Sequence, residues 1–355
     1  MAELINQLSD AAVDLLIRLI RTPSFSREEA DTATLIQEFL AAHSVPAQRQ
    51  QNNVWAVSRH FDAARPTILL NSHHDTVKPG SGWKYDPFGA TLEGDKLTGL
   101  GSNDAGASAV SLLATFIYFE QQRPAFNLIC AITAEEEISG VNGIRSVLSK
   151  FGKIDLGIVG EPTGMNLAIA EKGLIVLDCT AHGKTGHAAR EEGKNALYEA
   201  LEDIQWLRDF QFPGVSPLLG PVKTTVTQIS AGTQHNVVPD RCQFVVDVRT
   251  NELYQNQEIV DFLCSKLQSK IVPRSTHLNS SRISEHHPLI QNGLAMGKTI
   301  YGSPTLSDQS MMPFETLKMG PGKSARSHTP DEFILVSEIR AGILDYIELL
   351  TNFKF

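Results

Sequence analysis

Residues 67–75, TILLNSHHD, form the stretch that decides the fold. The stretch begins as an apolar run, which is typical of a strand buried on both faces of a parallel sheet, and ends in two histidines and an aspartate. FNLICAIT at 126–133 and LGIVG at 156–160 have the same apolar character. Helical patterns such as 106–121 separate these segments. The sequence therefore predicts strand–helix alternation and a mostly parallel central sheet with helices on both faces.

The pattern changes after about residue 172. Residues 173–183 partly alternate apolar and polar side chains, which favours a strand with one face in water. The predicted segments that follow are a helix, two strands and a second helix, at 194–210, 223–230, 241–249 and 256–270. This β-α-β-β-α order is ferredoxin-like. We therefore expect an α/β domain of residues 1–172 and 283–355, interrupted by a smaller α+β domain of residues 173–282.

Two local signals predict helix starts near the N-terminal side. Ser9 is placed to cap a first helix that ends before Pro23, because apolar residues follow it at helical spacing. Ser26 with Glu29 resembles a capping box for a second helix that reaches about His43. A last helix is expected over 336–352.

Composition and charge exclude several classes of protein. The chain has 355 residues, 42% hydrophobic and 20% charged, and a formal net charge of -9. An acidic surface repels phosphate, so we expect no nucleic-acid partner and no binding to an anionic membrane. The apolar runs are shorter than a membrane span, and residues 1–10 lack the pattern of a secretory signal. Four widely spaced cysteines indicate buried thiols in a reducing cytoplasm. They are Cys130, Cys179, Cys242 and Cys264.

Five short motifs place histidines and acids where strands end or helices begin. They are SHHD at 72–75, GLGSND at 99–104, TAEEE at 133–137, GEP at 160–162 and SHTPDE at 327–332. Each has an ordinary interpretation when taken alone: a surface turn, a helix N-cap at Asp104, a solvated acidic turn, an exposed glutamate and a surface histidine.

The five motifs have a different meaning when they are taken together. The carboxyl ends of parallel strands meet at one edge of a sheet, where ligands bind. Acids that converge there repel one another unless positive charge compensates them. Two histidines and three carboxylates, with Asp104 shared, suit two zinc ions about 3.5–4 Å apart. The sequence therefore predicts a two-zinc site at this edge.

The motifs, in this order and at these intervals, resemble those of the two-zinc aminoacylase and carboxypeptidase family. That family includes acetylornithine deacetylase and succinyl-diaminopimelate desuccinylase, and the resemblance covers essentially the whole chain. It implies that His73 and Glu161 bind one metal ion, that Glu137 and His328 bind the other, and that Asp104 bridges both. It implies two Zn²⁺ per chain, with Co²⁺ or Mn²⁺ as substitutes.

The resemblance also implies roles beyond metal binding. Asp75 would orient the first histidine, and Glu136 would be the general base that accepts a proton from the attacking water. His187 would stabilise the oxyanion, often from the partner subunit, although a surface histidine in a glycine-rich turn is the alternative. We expect a homodimer formed through the inserted domain, which would also act as a lid.

Substrate recognition rests on two further matches. Asn236 resembles part of a turn that lines the closed site in the family. Arg249 resembles the arginine that binds a substrate carboxylate, for which its planar fork is suited. A structural ion pair between Arg249 and a neighbouring acid such as Asp247 is the competing interpretation.

These observations predict a zinc-dependent deacylase of a small N-acyl amino acid. The leading substrates are N-acetylornithine and the N-acetyl or N-succinyl forms of ornithine and citrulline, in arginine biosynthesis. The alternatives are a deacylase of succinyl-diaminopimelate or an N-acyl-lysine in lysine biosynthesis, and a metallo-dipeptidase. A non-catalytic binding protein is a more remote alternative, because the chain keeps Glu136 and every implied ligand.

Overall fold

The structure, a computed structural model, describes residues 2–355 and divides into two compact units. The first unit contains the described residues up to Ile169, together with Arg282–Tyr301 and Ser307–Phe355. The second unit contains Ala170–Ser281 and Gly302–Leu306. The chain therefore builds most of the second unit from one continuous stretch.

Helices and strands alternate in the part of the chain that precedes the second unit. Their bounds are α1 (Ala2–Ile20), α2 (Ala30–Ala42), β1 (Gln48–Gln50), β2 (Asn53–Val57), β3 (Thr67–His73), β4 (Thr91–Glu93), β5 (Lys96–Thr98), α3 (Ala107–Glu120), β6 (Asn127–Thr133), α4 (Ile144–Val147), β7 (Leu156–Val159) and β8 (Leu167–Glu171). The chain passes into the second unit within β8.

The second unit and the return to the first follow. The bounds in the second unit are β9 (Gly173–His182), β10 (Gly186–His187), α5 (Ala196–Asp209), β11 (Val215–Ser216), β12 (Gly220–Pro221), β13 (Lys223–Ala231), β14 (Val237–Val238), β15 (Arg241–Thr250), α6 (Asn256–Lys266), β16 (Lys270–Pro273) and, at its end, β17 (Ser281–Arg282). The returning chain forms α7 (Pro288–Ala295), β18 (Ile300–Ser303), β19 (Thr316–Lys318), β20 (Phe333–Leu335) and α8 (Val336–Thr351).

The large sheet is parallel at its centre and antiparallel at its sides. β6, β3, β7 and β19 lie side by side and run parallel. β1 and β2 continue the sheet antiparallel beyond β6, and β8 pairs antiparallel with β19. Every residue of β3 and β6 is buried, which confirms the prediction of strands covered on both faces.

Helices cover both faces of this sheet. α3 is buried along its whole length and packs against α1, α8 and β3. The residues that form a separate apolar cluster with α4 include Trp55, Leu69, Ile129 and Val159. The sheet therefore lies between two helical layers, and its carboxyl edge is left to loops.

The second unit has its own sheet and its own core. The strand order is β13-β15-β9-β16, and every neighbouring pair is antiparallel. The residues of β9 alternate between buried and partly exposed, as predicted for a strand with one wet face. β16 adds a strand that the sequence analysis did not identify, and it completes the ferredoxin-like order β-α-β-β-α-β.

Two predicted helix starts are wrong. α1 begins at Ala2, so Ser9 lies inside the helix, where its hydroxyl donates to the carbonyl of Ile5 at 2.8 Å. The Ser26–Glu29 capping box is absent, because the Ser26 hydroxyl donates to Asp75 and no side chain caps α2.

All four cysteines are free, but only three of them are buried, and Cys264 is exposed. Within residues 2–355, none of the helices has the length and apolar character needed to cross a membrane.

Candidate metal centre

Three neighbouring parallel strands bring the predicted residues to one edge of the large sheet. His73 ends β3 and lies in register with Thr133, the last residue of β6. Glu136 and Glu137 follow β6 in a short 3₁₀ turn, and Glu161 follows β7 by two residues. The parallel arrangement therefore places these side chains together, as expected for ligands at strand carboxyl ends.

The His73 ring is buried, and its two nitrogens face different groups. Nδ1 lies 3.0 Å from the main-chain oxygen of Asp75, which can only accept, so Nδ1 carries the hydrogen. Nε2 faces three carboxylates, at 3.5 Å from Asp104 Oδ1, 3.7 Å from Glu161 Oε1 and 3.8 Å from Glu136 Oε2. The ring is thus fixed with Nε2 directed at the acids, as a metal ligand requires.

The next residue, His74, does not join the cluster, because successive strand residues point to opposite sides. Its Nδ1 lies 2.9 Å from the Thr32 hydroxyl, and its Nε2 donates to the carbonyl of Asn52 at 2.9 Å. Burial lowers the pKa of His74 to about 4, so this ring is neutral at ordinary pH.

Asp75 connects the strand end to the acidic turn. Its carboxylate is fully buried and accepts the N–H groups of Glu136 at 3.0 Å and Glu137 at 3.2 Å. It also accepts the Ser26 hydroxyl at 2.7 Å, and one of its oxygens lies 3.4 Å from His73 Nδ1. One carboxylate therefore lies beside the histidine ring and holds the backbone that carries the two glutamates.

Asp104 lies between two histidines. Its Oδ1 is 3.5 Å from His73 Nε2, and its Oδ2 is 3.6 Å from His328 Nε2. His328 Nε2 also lies 3.0 Å from Glu137 Oε2. Asp104 belongs to a turn with non-helical backbone angles, and α3 begins only at Ala107. The interpretation of Asp104 as a helix N-cap is therefore wrong.

The pKa values show how strongly the acids attract positive charge. Burial alone would lower the pKa of His73, but Glu136 and the other carboxylates raise it well above its usual value. The hydrogen bond with Glu137 raises the pKa of His328 to about 9. Burial raises the pKa of Glu136 well above its usual value and that of Glu161 to about 8. Burial is the first cause of both raised glutamate pKa values, and repulsion from neighbouring carboxylates adds to it.

The donor set fits a pair of metal ions. Two ligand atoms on one tetrahedral zinc lie about 3.4 Å apart, given metal–ligand bonds of about 2.0–2.1 Å. The separations from each histidine Nε2 to its neighbouring carboxylate oxygens are 3.0–3.8 Å. Ligand atoms of His73, Asp104 and Glu137 lie within 4.8 Å of one another, and so do those of His73, Glu136 and Glu161. Both groups contain His73, so the residues present fit metal binding at this edge of the sheet.

The remaining predicted residues lie in the second unit. His187 is exposed and its Nδ1 accepts the N–H of Ala189 at 3.1 Å. The carbonyl of Asn236 accepts the N–H of Ala188 at 3.0 Å, so the two predicted residues belong to one pair of turns. Arg249 binds Asp247 through two hydrogen bonds of 2.9 and 3.1 Å. The ion pair considered as the competing interpretation is therefore present.

Sequence reasoning missed a buried acid that holds the Asp104 loop. Glu332 is 2% exposed and accepts the N–H groups of Gly101, Asn103 and Asp104 at 2.8–3.0 Å. Glu332 is the last residue of the motif at 327–332 that contains His328. Its place in that motif was the signal that could have identified it.

The chain is similar in sequence to known proteins. A sequence model of peptidase family M20/M25/M40 matches residues 69–352. Succinyl-diaminopimelate desuccinylase 2 of a Ruegeria species is 27% identical over 272 residues, 71% of this chain and 68% of that protein.

Two solved structures have a similar fold. Aminopeptidase PepT of Bacillus cereus has a TM-score of 0.77 at 16% identity, over 97% of this chain and 98% of that chain. The YxeP protein of Bacillus subtilis, a dinuclear metal-binding peptidase of the M20 family, has a TM-score of 0.73 at 15% identity, over 98% of this chain and 100% of that chain.

Proposed function

Because the chain belongs to peptidase family M20/M25/M40 and is a metal-dependent amidohydrolase, we propose that it removes the acyl group from a small N-acyl amino acid. The observation that carries the proposal is the arrangement of two histidine nitrogens around one shared carboxylate, Asp104, with Glu136 beside them. The desuccinylase relative favours this substrate class over a peptide.

The first substrate we propose is N-succinyl-diaminopimelate. The sequence motifs predict N-acetylornithine and arginine biosynthesis first, but the relative is a succinyl-diaminopimelate desuccinylase and does not support them. Its identity of 27% leaves the amino-acid part of the substrate to experiment. The reaction class and the succinyl group are therefore the parts of the proposal that the relative supports.

We propose that His73 and Glu161 hold one zinc ion, that Glu137 and His328 hold the other, and that Asp104 bridges them. Bound zinc would supply the Lewis acidity that polarises the amide carbonyl and lowers the pKa of water.

We propose Glu136 as the general base in this scheme. Its carboxylate lies 3.8 Å from His73 Nε2, at the centre of the acidic cluster, and its backbone is held by Asp75. Glu136 would accept the proton of the attacking water and then donate it to the leaving amine.

The second unit would contribute substrate contacts. We propose that His187 donates to the oxyanion, that Asn236 contributes to substrate binding and that Arg249 binds a substrate carboxylate. Arg249 would keep its ion pair with Asp247, since a guanidinium has five N–H donors. A homodimer formed through the second unit and a location in the cytoplasm, suited to the free thiols, complete the proposal.

The test is amine release by the zinc-loaded protein from a matched panel of substrates. The panel contains N-succinyl-diaminopimelate, the N-acetyl and N-succinyl forms of ornithine and citrulline, and one dipeptide. We expect the highest kcat/KM for N-succinyl-diaminopimelate. Metal-stripped protein is the control and should release no amine.

Other results have distinct meanings. A preference for an N-acetylornithine or citrulline derivative would keep the deacylase and overturn the succinyl substrate. A preference for the dipeptide would overturn the deacylase and indicate a peptidase. A protein that binds two zinc ions and hydrolyses nothing in the panel would overturn the whole substrate assignment.

A further inference from the structure

Glu332 binds the loop before α3 through both its side chain and its main chain. Its carboxylate accepts the N–H of Gly101 at one oxygen and the N–H groups of Asn103 and Asp104 at the other. Its main-chain oxygen accepts the N–H of Gly99 at 2.9 Å. The six-residue loop that ends at Asp104 thus donates four backbone hydrogen bonds to Glu332.

We propose that Glu332 is a positioning residue for Asp104, which sets where the shared carboxylate lies between the two metal ions. The proposal rests on the proposed function in one respect, namely that Asp104 binds metal. Glu332 itself does not belong to the group of ligand atoms, because both of its oxygens are directed at backbone N–H groups.

The hydrogen-bond partners of Glu332 are the first reason to assign it this role. A buried carboxylate next to Asp104 costs free energy through repulsion and desolvation, and a fold has no need of it for packing alone. Burial and repulsion from Asp104 raise the pKa of Glu332 to about 7, and the three backbone N–H donors act in the opposite direction. The same hydrogen bonds fix the backbone at Asn103 and Asp104. They therefore fix the point from which the Asp104 side chain extends.

The position of Glu332 in the chain is the second reason. Glu332 lies four residues after His328, whose Nε2 is 3.6 Å from Asp104 Oδ2. It also lies immediately before β20, which pairs antiparallel with β5 at Phe333 and Thr98. Glu332 therefore joins the segment that carries one ligand to the loop that carries another.

A neighbouring side chain supports the same connection. The Asn103 side chain accepts the N–H of Lys323 at 2.9 Å and donates to the carbonyl of Lys323 at 3.1 Å and to Ser327 at 3.3 Å. The loop and the segment from 323 to 332 are thus held together at both ends. Loss of Glu332 leaves this second connection intact, so the expected effect is a displaced ligand in a folded protein.

The test compares metal binding by the full-length wild-type protein with that of two variants and a matched control. Glu332→Gln removes the charge and turns an amide N–H₂ towards one of the backbone donors. Glu332→Asp keeps the charge on a shorter side chain. The control is Asp331→Asn, because Asp331 also accepts two backbone N–H groups, those of Lys84 and Tyr85, which carry no ligand.

Three properties are measured for each protein. Competition with a chromophoric chelator gives the affinity for Zn²⁺, the visible spectrum with Co²⁺ reports the coordination of the bound ion, and the melting temperature without metal reports the fold. For Glu332→Gln we expect a loss of about 10–100-fold in metal affinity, as for other residues that orient ligands. We also expect an altered Co²⁺ spectrum and a small change in the metal-free melting temperature.

Glu332→Asp should lie between wild type and Glu332→Gln, and Asp331→Asn should bind metal as wild type does. Wild-type affinity and an unchanged Co²⁺ spectrum in Glu332→Gln would overturn the proposal. If Glu332→Gln does not fold, Glu332→Asp decides by the same criteria.

The outcome is separable from that of the proposed function. A wild-type protein that binds metal and hydrolyses none of the panel would refute the substrate assignment and leave the Glu332 comparison valid. A wild-type protein that binds no metal would refute both.

Discussion

Two buried carboxylates, those of Asp75 and Glu332, accept backbone N–H groups and so hold the segments that carry the other acids of the site. Asp75 accepts two of them in addition to its contact with His73, and Glu332 accepts three. The carboxylates nearest to His73 Nε2 and His328 Nε2, those of Asp104 and Glu137, face the histidines. The acids that would hold the backbone of the site accept backbone N–H groups, whereas the acids that would bind metal face histidine nitrogens.

Glu136→Gln should separate the general base from the metal ligands. The substitution keeps the size of the side chain but removes its ability to accept a proton, so kcat should fall by about 10²–10⁴-fold. Metal content, measured by inductively coupled plasma mass spectrometry, should stay at the wild-type value.

Glu136→Asp is the matched control, because it keeps a carboxyl group and should retain more activity than Glu136→Gln. Wild-type turnover in Glu136→Gln would show that another group accepts the proton. Loss of one metal ion in that variant would assign Glu136 to the ligands instead.

At the residue scale, the sequence identifies side chains whose position follows from the end of a strand. His73 and Glu161 were predicted in this way, because an apolar run directly precedes each of them. Ser26 and Glu332 were not, because their partners are distant in sequence: Ser26 is 49 residues from Asp75, and Glu332 is 228 to 231 residues from the N–H groups it accepts. No local pattern contains such a pairing.

At the scale of elements, burial explains which predictions were correct. β3 and β6 were found because both of their faces are covered and their sequences are almost entirely apolar. β16 was missed because it is a short edge strand with alternating partial exposure. The capping signature of α2 failed because a buried carboxylate, Asp75, provides a stronger partner for Ser26.

α3 should contribute strongly to the stability of the first unit, because all of its residues are buried. Phe116→Ala removes a ring that is 0% exposed and leaves a cavity between α3 and its neighbours. We expect the free energy of unfolding to fall by about 3–5 kcal/mol, measured by urea denaturation of the metal-free protein.

Leu344→Ala on α8 is the control for this measurement, because Leu344 is 50% exposed. Its effect should stay within about 0.5 kcal/mol. A loss below about 1 kcal/mol for Phe116→Ala would mean that the surrounding helices close over the space that the ring leaves.

At the scale of the whole molecule, the described residues of the second unit have an apolar core that is separate from the cluster around α4. The core of the second unit is formed by β9, β15 and the helices α5 and α6, with Ile175, Phe244 and Leu263 among its buried residues. Every proposed metal ligand, by contrast, lies in the first unit. Metal binding and the stability of the second unit should therefore be independent of each other, since each unit has the core of a folding unit.

Scanning calorimetry over a series of zinc concentrations tests this independence. A metal that binds only the folded first unit stabilises it by about 2.7 kcal/mol when its concentration is 100 times the Kd. We expect two transitions, of which one moves to higher temperature as zinc is added and the other stays fixed. Asp104→Ala, which removes the shared ligand, should reduce the movement of the first transition and leave the second where it is. A single transition that moves as a whole would show that the two units unfold together, and a metal-dependent shift of both separate transitions would place a ligand in the second unit.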